Sequence, residues 1–144
     1  MTPVPPETVE RLKAINNWLD AAYGSDVRLS TLLLEAGLAP ARVEQLKAAH
    51  LPAFVEGVLA FLEAFTAGPD GVRGQDVMLR IFGLYDGYPR TARSVAKFYE
   101  LPHTRIQQLR DERLAFFRQT RNQDRLRTGL AYLARQLLSG ETES

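Results

Sequence analysis

The side chains best suited to recognising another molecule lie close together between residues 90 and 110. His103, Thr104, Gln107 and Gln108 recur at a spacing that places them on the outer face of a helix. Glutamine can pair bidentately with adenine, threonine can contact a thymine methyl group, and arginine can bridge guanine or a phosphate. These residue types predict contact with base edges of double-stranded DNA. Contact with the DNA backbone is predicted for a second, mostly basic set: Arg90, Thr91, Arg93, Arg105 and Arg110.

No group of residues matches an enzyme or a metal site. The sequence contains no cysteine, which excludes disulfides and thiolate metal ligands. Its two histidines, His50 and His103, have no carboxylate or third ligand at metal spacing. Asp111 and Glu112 are adjacent on a predicted helix and point to different faces, which does not suit paired acid–base catalysis. The glycine-rich residues 67–74 lack the Gly-Lys-Ser/Thr ending of a nucleotide-binding loop. We therefore predict neither an enzyme nor a cofactor.

The composition is that of a globular protein, but the charge is distributed unevenly. The chain has 144 residues, 45% hydrophobic and 24% charged, which suits one domain or two very small ones. It has neither an apolar run of roughly 20 residues nor a signal peptide, so we expect a cytoplasmic location and no membrane partner. Residues 1–89 contain 7 Lys/Arg and 11 Asp/Glu, whereas residues 90–135 contain 11 and 4. The basic region favours nucleic acid as a partner, although a solvated arginine-rich surface has the same composition.

Hydrophobic periodicity predicts helices along almost the whole chain, so the predicted fold class is all-α. Trp18 lies beside the apolar stripe of the first helix and is interpreted as a core residue, with a partner-binding aromatic as the alternative. We divide the chain into an N-terminal helical subdomain (1–67), a loop or hinge (68–75), a second subdomain with a C-terminal helix (76–138) and a tail (139–144). Helices are predicted at residues 7–23, 29–37 and 40–49, from Pro52 onward, at 76–82, 91–99 and 102–120, and in a last segment capped by Asn122.

Two windows of the sequence repeat each other at an offset of 63 residues. Windows 38–54 and 101–117 share an apolar framework, in which Leu46 corresponds to Leu109 and Phe54 to Phe117. Each window follows a short helix, so each predicts a helix-turn-helix unit, although such helix pairs are also common scaffolds. The second helix of such a unit can enter the major groove. In the second unit, the predicted buried residues are Ile106, Leu109, Leu114 and Phe117, with Val95, Ala96 and either Phe98 or Tyr99 from the helix before.

Residues 78–118 resemble the C-terminal, −35-reading domain of primary-type bacterial sigma factors. The shared features are Phe82-Gly83-Leu84, the Asp86-Gly87 turn, Pro89-Arg90-Thr91, Val95 and Arg105-Ile106-x-Gln108-Leu109, in register over about forty residues. Residues 9–49 are similar in spacing to the preceding sigma domain. The resemblance implies a DNA-binding transcription regulator that acts with bacterial RNA polymerase.

This chain departs from the family pattern in two respects. Nothing in it resembles the domain that reads the −10 element, so the chain alone is not expected to open a promoter. The positions of the family's main base readers are occupied by His103, Thr104 and Gln107. Recognition of a different DNA sequence and loss of base reading are therefore both open.

The resemblance also implies a contact with the flap of the polymerase β subunit, which the family's domain makes through its apolar first helices. The matching residues are Val77, Met78, Leu79, Ile81, Phe82 and Leu84, although the same residues could simply close the local core. An alternative function follows from this contact. The chain would be a sigma-domain mimic that binds the β flap or a sigma partner and redirects transcription without base-specific DNA contact. A purely structural helical protein is the third interpretation, and the uneven charge counts against it.

Overall fold

The computed structural model describes residues 4–23, 28–65 and 71–142, and these residues form helices and no strands. The predicted all-α class is confirmed. None of the helices in these ranges is both long enough and apolar enough to cross a membrane. The eight helices are α1 (Pro6–Tyr23), α2 (Leu29–Glu35), α3 (Pro40–Ala49), α4 (Leu51–Glu63), α5 (Gly71–Phe82), α6 (Ala92–Tyr99), α7 (His103–Arg118) and α8 (Thr120–Thr142).

Helix α5 begins earlier than predicted. The loop prediction for residues 68–75 is wrong for residues 71–75, which belong to the helix, while residues 68–70 lie outside the described ranges. A glycine is needed at Gly74 for close packing, because a Cβ atom there would lie 2.9 Å from Cγ of Arg113. The neighbouring Gln75 is buried, and its amide donates a hydrogen bond of 2.6 Å to the Leu62 carbonyl. The glycine that resembled a loop signal therefore serves helix packing.

The start and end of α8 also differ from the prediction. Asn122 is not the cap of this helix, which begins at Thr120 and continues through Thr142 into the predicted tail. The Asn122 side chain is buried and donates a hydrogen bond of 2.8 Å to the Phe116 carbonyl. Since the last carbonyl groups of a helix lack partners within the helix, this bond stabilises the end of α7.

The repeat in the sequence is not repeated in the backbone. Residues 101–117 lie mainly in the single helix α7, whereas residues 38–54 contain the whole of α3, a break at His50 and the start of α4. Pro52 explains the break, because proline has no N–H group and its ring excludes a continuous helix through that point. The corresponding position in the second window is Ala115, which is compatible with a continuous helix.

The main buried cluster draws on helices from both halves of the chain, namely α1 to α5, α7 and α8. Trp18 is fully buried within it, as predicted. Its indole N–H donates to the Met78 sulfur at 3.0 Å, and its ring meets the Phe117 ring edge-to-face at 5.1 Å. Helix α8 packs on α2, α3 and α4 as well as on α7. The division into two subdomains stays a prediction, while α7 has a defined place between α1, α5, α6 and α8.

Candidate nucleic-acid interface

Helices α6 and α7 are joined by a short, well-defined turn. The Thr91 hydroxyl accepts a hydrogen bond of 3.1 Å from the Ser94 N–H and so caps the start of α6, as predicted. Glu100 ends α6 in the left-handed conformation, with φ 55° and ψ 42°. The Leu101 N–H then donates a hydrogen bond of 3.0 Å to the Ala96 carbonyl. This left-handed ending turns the chain sharply, and α7 begins after Pro102.

The buried side of the α6–α7 pair agrees with the periodicity of the sequence. Ile106, Leu109, Leu114 and Phe117 of α7 are buried, as are Val95 and Ala96 of α6. Between the two alternatives at the end of α6, Tyr99 packs against this cluster, whereas 62% of Phe98 is exposed. The outer side of α7 carries the predicted base-facing residues, all exposed: His103, Thr104, Gln107 and Gln108.

A network centred on Asp76 fixes α6 relative to α5. The Asp76 carboxylate accepts hydrogen bonds from the Tyr85 hydroxyl at 2.6 Å, from Arg80 Nε at 2.8 Å and from the Tyr99 hydroxyl. Burial alone would raise the pKa of Asp76, but these three donors outweigh it and hold the pKa below its usual value. Burial and the bond to Asp76 raise the pKa of Tyr99 to about 12, so its hydroxyl stays a donor at neutral pH. The network therefore joins α5, the following turn and α6.

The other side of α7 is held by a buried guanidinium group. Arg113 lies within α7 and donates to the Gln75 side chain at 2.8 and 3.1 Å and to the Phe65 carbonyl at 2.7 Å. Its guanidinium carbon also lies 4.3 Å from the centre of the Phe116 ring. Burial lowers the pKa of Arg113. These contacts fix the rotation of α7, and hence the direction of its outer face.

Three of the arginines predicted to contact phosphates already have carboxylate partners. Arg90 is bound to Asp86 at 2.6 Å, Arg105 lies 3.9 Å from Glu112, and Arg110 lies 3.0 Å from Asp111. Arg105 also donates to Gln108 at 2.9 Å. The bond from Arg90 holds the pKa of Asp86 below its usual value, so this pair is ionised at neutral pH. Arg93, in contrast, is exposed and has no ion-pair partner among the described residues.

Carboxylates lie beside the predicted base-facing residues. Thr104, Gln107 and Gln108 line a shallow depression of about 540 Å³, together with Asp111, Glu112 and Ala115. The outer face of α7 is thus polar and mixed in charge, with its cations at the edges. The sequence already contained this signal, because Asp111 and Glu112 directly follow the basic residues.

Four of the six residues predicted to contact the polymerase flap are unavailable as surface. Val77, Met78, Leu79 and Leu84 are buried, and the Met78 sulfur accepts the Trp18 N–H. The flap contact stays a prediction. The burial of these four residues fits the alternative that they close the local core, in which α5 packs against α1, α4, α6 and α7. Ile81 and Phe82 are partly buried and retain some accessible surface.

Comparison with protein-family models, curated proteins and solved structures gives no match to this chain. Within the described ranges, no three His, Asp or Glu side chains are grouped so that they could hold a metal ion. The geometry of α5, α6 and α7 is therefore the basis for a proposed function. The important residues that the sequence did not indicate are Asp76, Tyr85, Gln75 and Arg113, which position these helices.

Proposed function

We propose that this protein is a helix-turn-helix DNA-binding transcription regulator, in which α7 is the reading helix and α6 the support helix. The observation that carries the proposal is the exposed group His103, Thr104, Gln107 and Gln108 on the first two turns of α7, with α6 packed behind it. Side chains near the N-terminus of such a helix are those that reach base edges in the major groove.

The support helix has the features of a phosphate contact. Its cap at Thr91 leaves the first N–H groups of α6 near the surface, and Arg93 is an exposed cation without an ion-pair partner in the described ranges. Gln107 and Gln108 can pair with adenine, and Thr104 can contact thymine. Arg90, Arg105 and Arg110 would exchange their carboxylate partners for phosphates when DNA binds.

The sigma-like sequence features support action with bacterial RNA polymerase. Gly83 and Gly87 both have positive φ angles, of 77° and 89°, in the turn that connects α5 to the support helix. A Cβ atom on Gly83 would lie 2.5 Å from the Pro89 nitrogen, so the glycine is required by the turn. The motif residues thus build the α5–α6–α7 scaffold, while the reading residues differ from those of the family. We infer a DNA target other than the usual −35 element.

A mobility-shift titration of the double variant Gln107→Ala/Arg93→Ala on duplex DNA tests this proposal. Loss of one phosphate contact should reduce the slope of log K against log salt by about 0.9. Loss of one base contact should weaken binding to a selected site by about 1–3 kcal/mol. The matched control is Gln136→Ala/Arg121→Ala, which removes the same residue types from the exposed face of α8. Unchanged affinity and salt slope in the first variant contradict the proposal.

The ion pairs on the α7 face support a second candidate function, the sigma-domain mimic. Asp111 and Glu112 neutralise Arg110 and Arg105, and they would repel a DNA backbone that approached this part of α7. The mimic would use the accessible parts of Ile81 and Phe82 to bind the β flap. A pull-down with core polymerase and with the isolated flap separates the two functions. The mimic is supported if binding to the flap survives Arg93→Glu but is lost in a folded Phe82→Asp variant. It is contradicted if Arg93→Glu abolishes this binding while Phe82→Asp retains it.

A further inference from the structure

The outer face of α6, defined by Arg93, Ser94, Lys97 and Phe98, has features that DNA binding by α7 does not explain. All four residues are exposed, and Phe98 is 62% exposed although it is a large apolar side chain. The core contact at this end of the helix is made by Tyr99 instead. Contact with phosphates at the start of α6 would therefore leave the Phe98 ring in water.

The Phe98 ring is held in place by its neighbours. The guanidinium carbon of Arg80 lies 4.1 Å from the ring centre, and the Tyr99 ring meets it edge-to-face at 5.1 Å. Arg80 is itself bound to Asp76, so the contact is part of the network that joins α5 to α6. A fixed aromatic ring loses little conformational entropy when a partner covers it, which is typical of an anchor residue in an interface.

Two cations share the exposed side of α6 with this ring. Lys97 and Arg93 are one helical turn apart on α6 and form no ion pair with any residue in the described ranges. An acidic side chain of a partner could pair with Lys97 while an apolar side chain covers Phe98, and a second could pair with Arg93 when no DNA phosphate is bound there. The face is therefore complementary to a segment that is both acidic and apolar.

We propose that the outer face of α6 binds an acidic protein segment that carries an apolar anchor residue. Single-stranded nucleic acid is the competing partner, since it also combines negative charge with stacking. It needs successive aromatic rings along a basic groove, whereas α6 exposes the single ring of Phe98. The proposal does not depend on DNA binding. Lys97 and Phe98 lie about 9 and 10.5 Å along the helix from the Thr91 cap, so a partner could bind these two residues while DNA occupies the N-terminal end.

The test uses the full chain and a short fluorescent peptide in which Asp and Glu residues flank a central Trp-Leu pair. Two control peptides keep only the acidic residues or only the apolar pair. We expect the complete peptide to bind more tightly than either control, and Phe98→Ala and Lys97→Glu each to weaken it about tenfold. Arg121→Glu, which changes an exposed arginine of α8 by the same charge, should alter the affinity less than about twofold. Circular dichroism verifies that each variant is folded.

Several outcomes would overturn the proposal. The proposal is wrong if the complete peptide does not bind, or if the acidic control peptide binds as tightly as the complete one. It is also wrong if Arg121→Glu weakens peptide binding as much as Lys97→Glu does. Displacement of the labelled peptide by single-stranded oligonucleotide, but not by unlabelled peptide, would likewise contradict it. A mobility shift on duplex DNA is measured in parallel. Phe98→Ala should weaken peptide binding about tenfold and keep the wild-type DNA affinity. An equal loss of DNA affinity in this variant would count against a separate site. If wild type does not bind DNA at all, the proposed function fails while the peptide measurements still decide this inference.

Discussion

Replacing Asp76 by asparagine removes the charge at the centre of the network that holds α6 on α5. The substitution retains the size of the side chain and one acceptor oxygen, so the changes are confined to the hydrogen bonds from Tyr85, Tyr99 and Arg80. Hydrogen bonds to charged groups contribute roughly 1.5–3 kcal/mol each, and the amide can keep part of them. We therefore expect Asp76→Asn to lower the free energy of unfolding by about 2–3 kcal/mol at neutral pH.

The pH dependence of this loss has a definite sign. Since the pKa of Asp76 is lowered in the folded protein, its stabilisation is fully present above the pKa of an unfolded aspartate, about 3.9. The stabilisation disappears as the pH falls through the lower, folded pKa. The difference between wild type and Asp76→Asn should therefore be constant from neutral pH to about pH 5 and should shrink below about pH 4. Other acidic groups are common to both proteins and cancel in the difference.

Urea unfolding, followed by circular dichroism at a series of pH values, measures this difference. The control is Asp86→Asn, which removes a carboxylate from an i,i+4 ion pair with Arg90 whose side chains are 40% and 41% exposed. Exposed ion pairs contribute little to stability, so the control should lose far less than Asp76→Asn. Equal losses in the two variants, or a loss in Asp76→Asn that does not diminish in acid, would show that the Asp76 charge does not stabilise the fold.

Three further variants test the packing around the candidate interface, each by urea unfolding. Glu100→Gly should stabilise the protein by about 0.5–1 kcal/mol, because Glu100 has a φ of 55° that glycine adopts freely. An equal gain in Glu100→Ala would show that the loss of the charge, and not the backbone conformation, is responsible. Gly87→Ala should lower the free energy of unfolding by about 1 kcal/mol or more beyond the effect of Gly37→Ala. Both glycines have positive φ, but only a Cβ atom at Gly87 would lie within 3.1 Å of α1 backbone atoms. Similar losses in the two variants would contradict a role of Gly87 in packing. Arg113→Met should lower the free energy of unfolding by about 2–4 kcal/mol, since it leaves the Phe65 carbonyl and the Gln75 side-chain oxygen without this donor. A loss below about 0.5 kcal/mol would show that these hydrogen bonds contribute little.

Much of the local structure followed from short stretches of sequence. The cap at Thr91, the start of α3 at Pro40 and the buried positions Ile106 and Leu109 were predicted, and the structure contains each of them. Capping depends on neighbouring residues, and burial on one side of a helix depends on the helical period, so both can be recognised without knowledge of other helices. The exposure of His103, Thr104, Gln107 and Gln108 follows from the same period.

Features that depend on contacts between helices were not predictable in this way. The apolar residues of α5 were compatible with either a partner surface or the core, and only the surrounding helices decide that Val77, Met78 and Leu79 are buried. Gly74 resembled a loop residue. The close contact that favours glycine there is with Arg113, 39 residues away in the sequence, so neighbouring residues do not indicate it. Asn122 resembled a cap for α8, whereas its partner is the end of α7.

The pattern of residues along the chain specifies the all-α class, the helix pair α6–α7 and which of its side chains face outward. Packing between helices specifies which of those side chains are available to a partner. Arg93 and Lys97 are exposed and unpaired within the described ranges, while Arg90, Arg105 and Arg110 are each bound to a carboxylate. The physical reason is that helical periodicity specifies the direction of a side chain, whereas its ion pairs and its burial depend on what the fold places next to it.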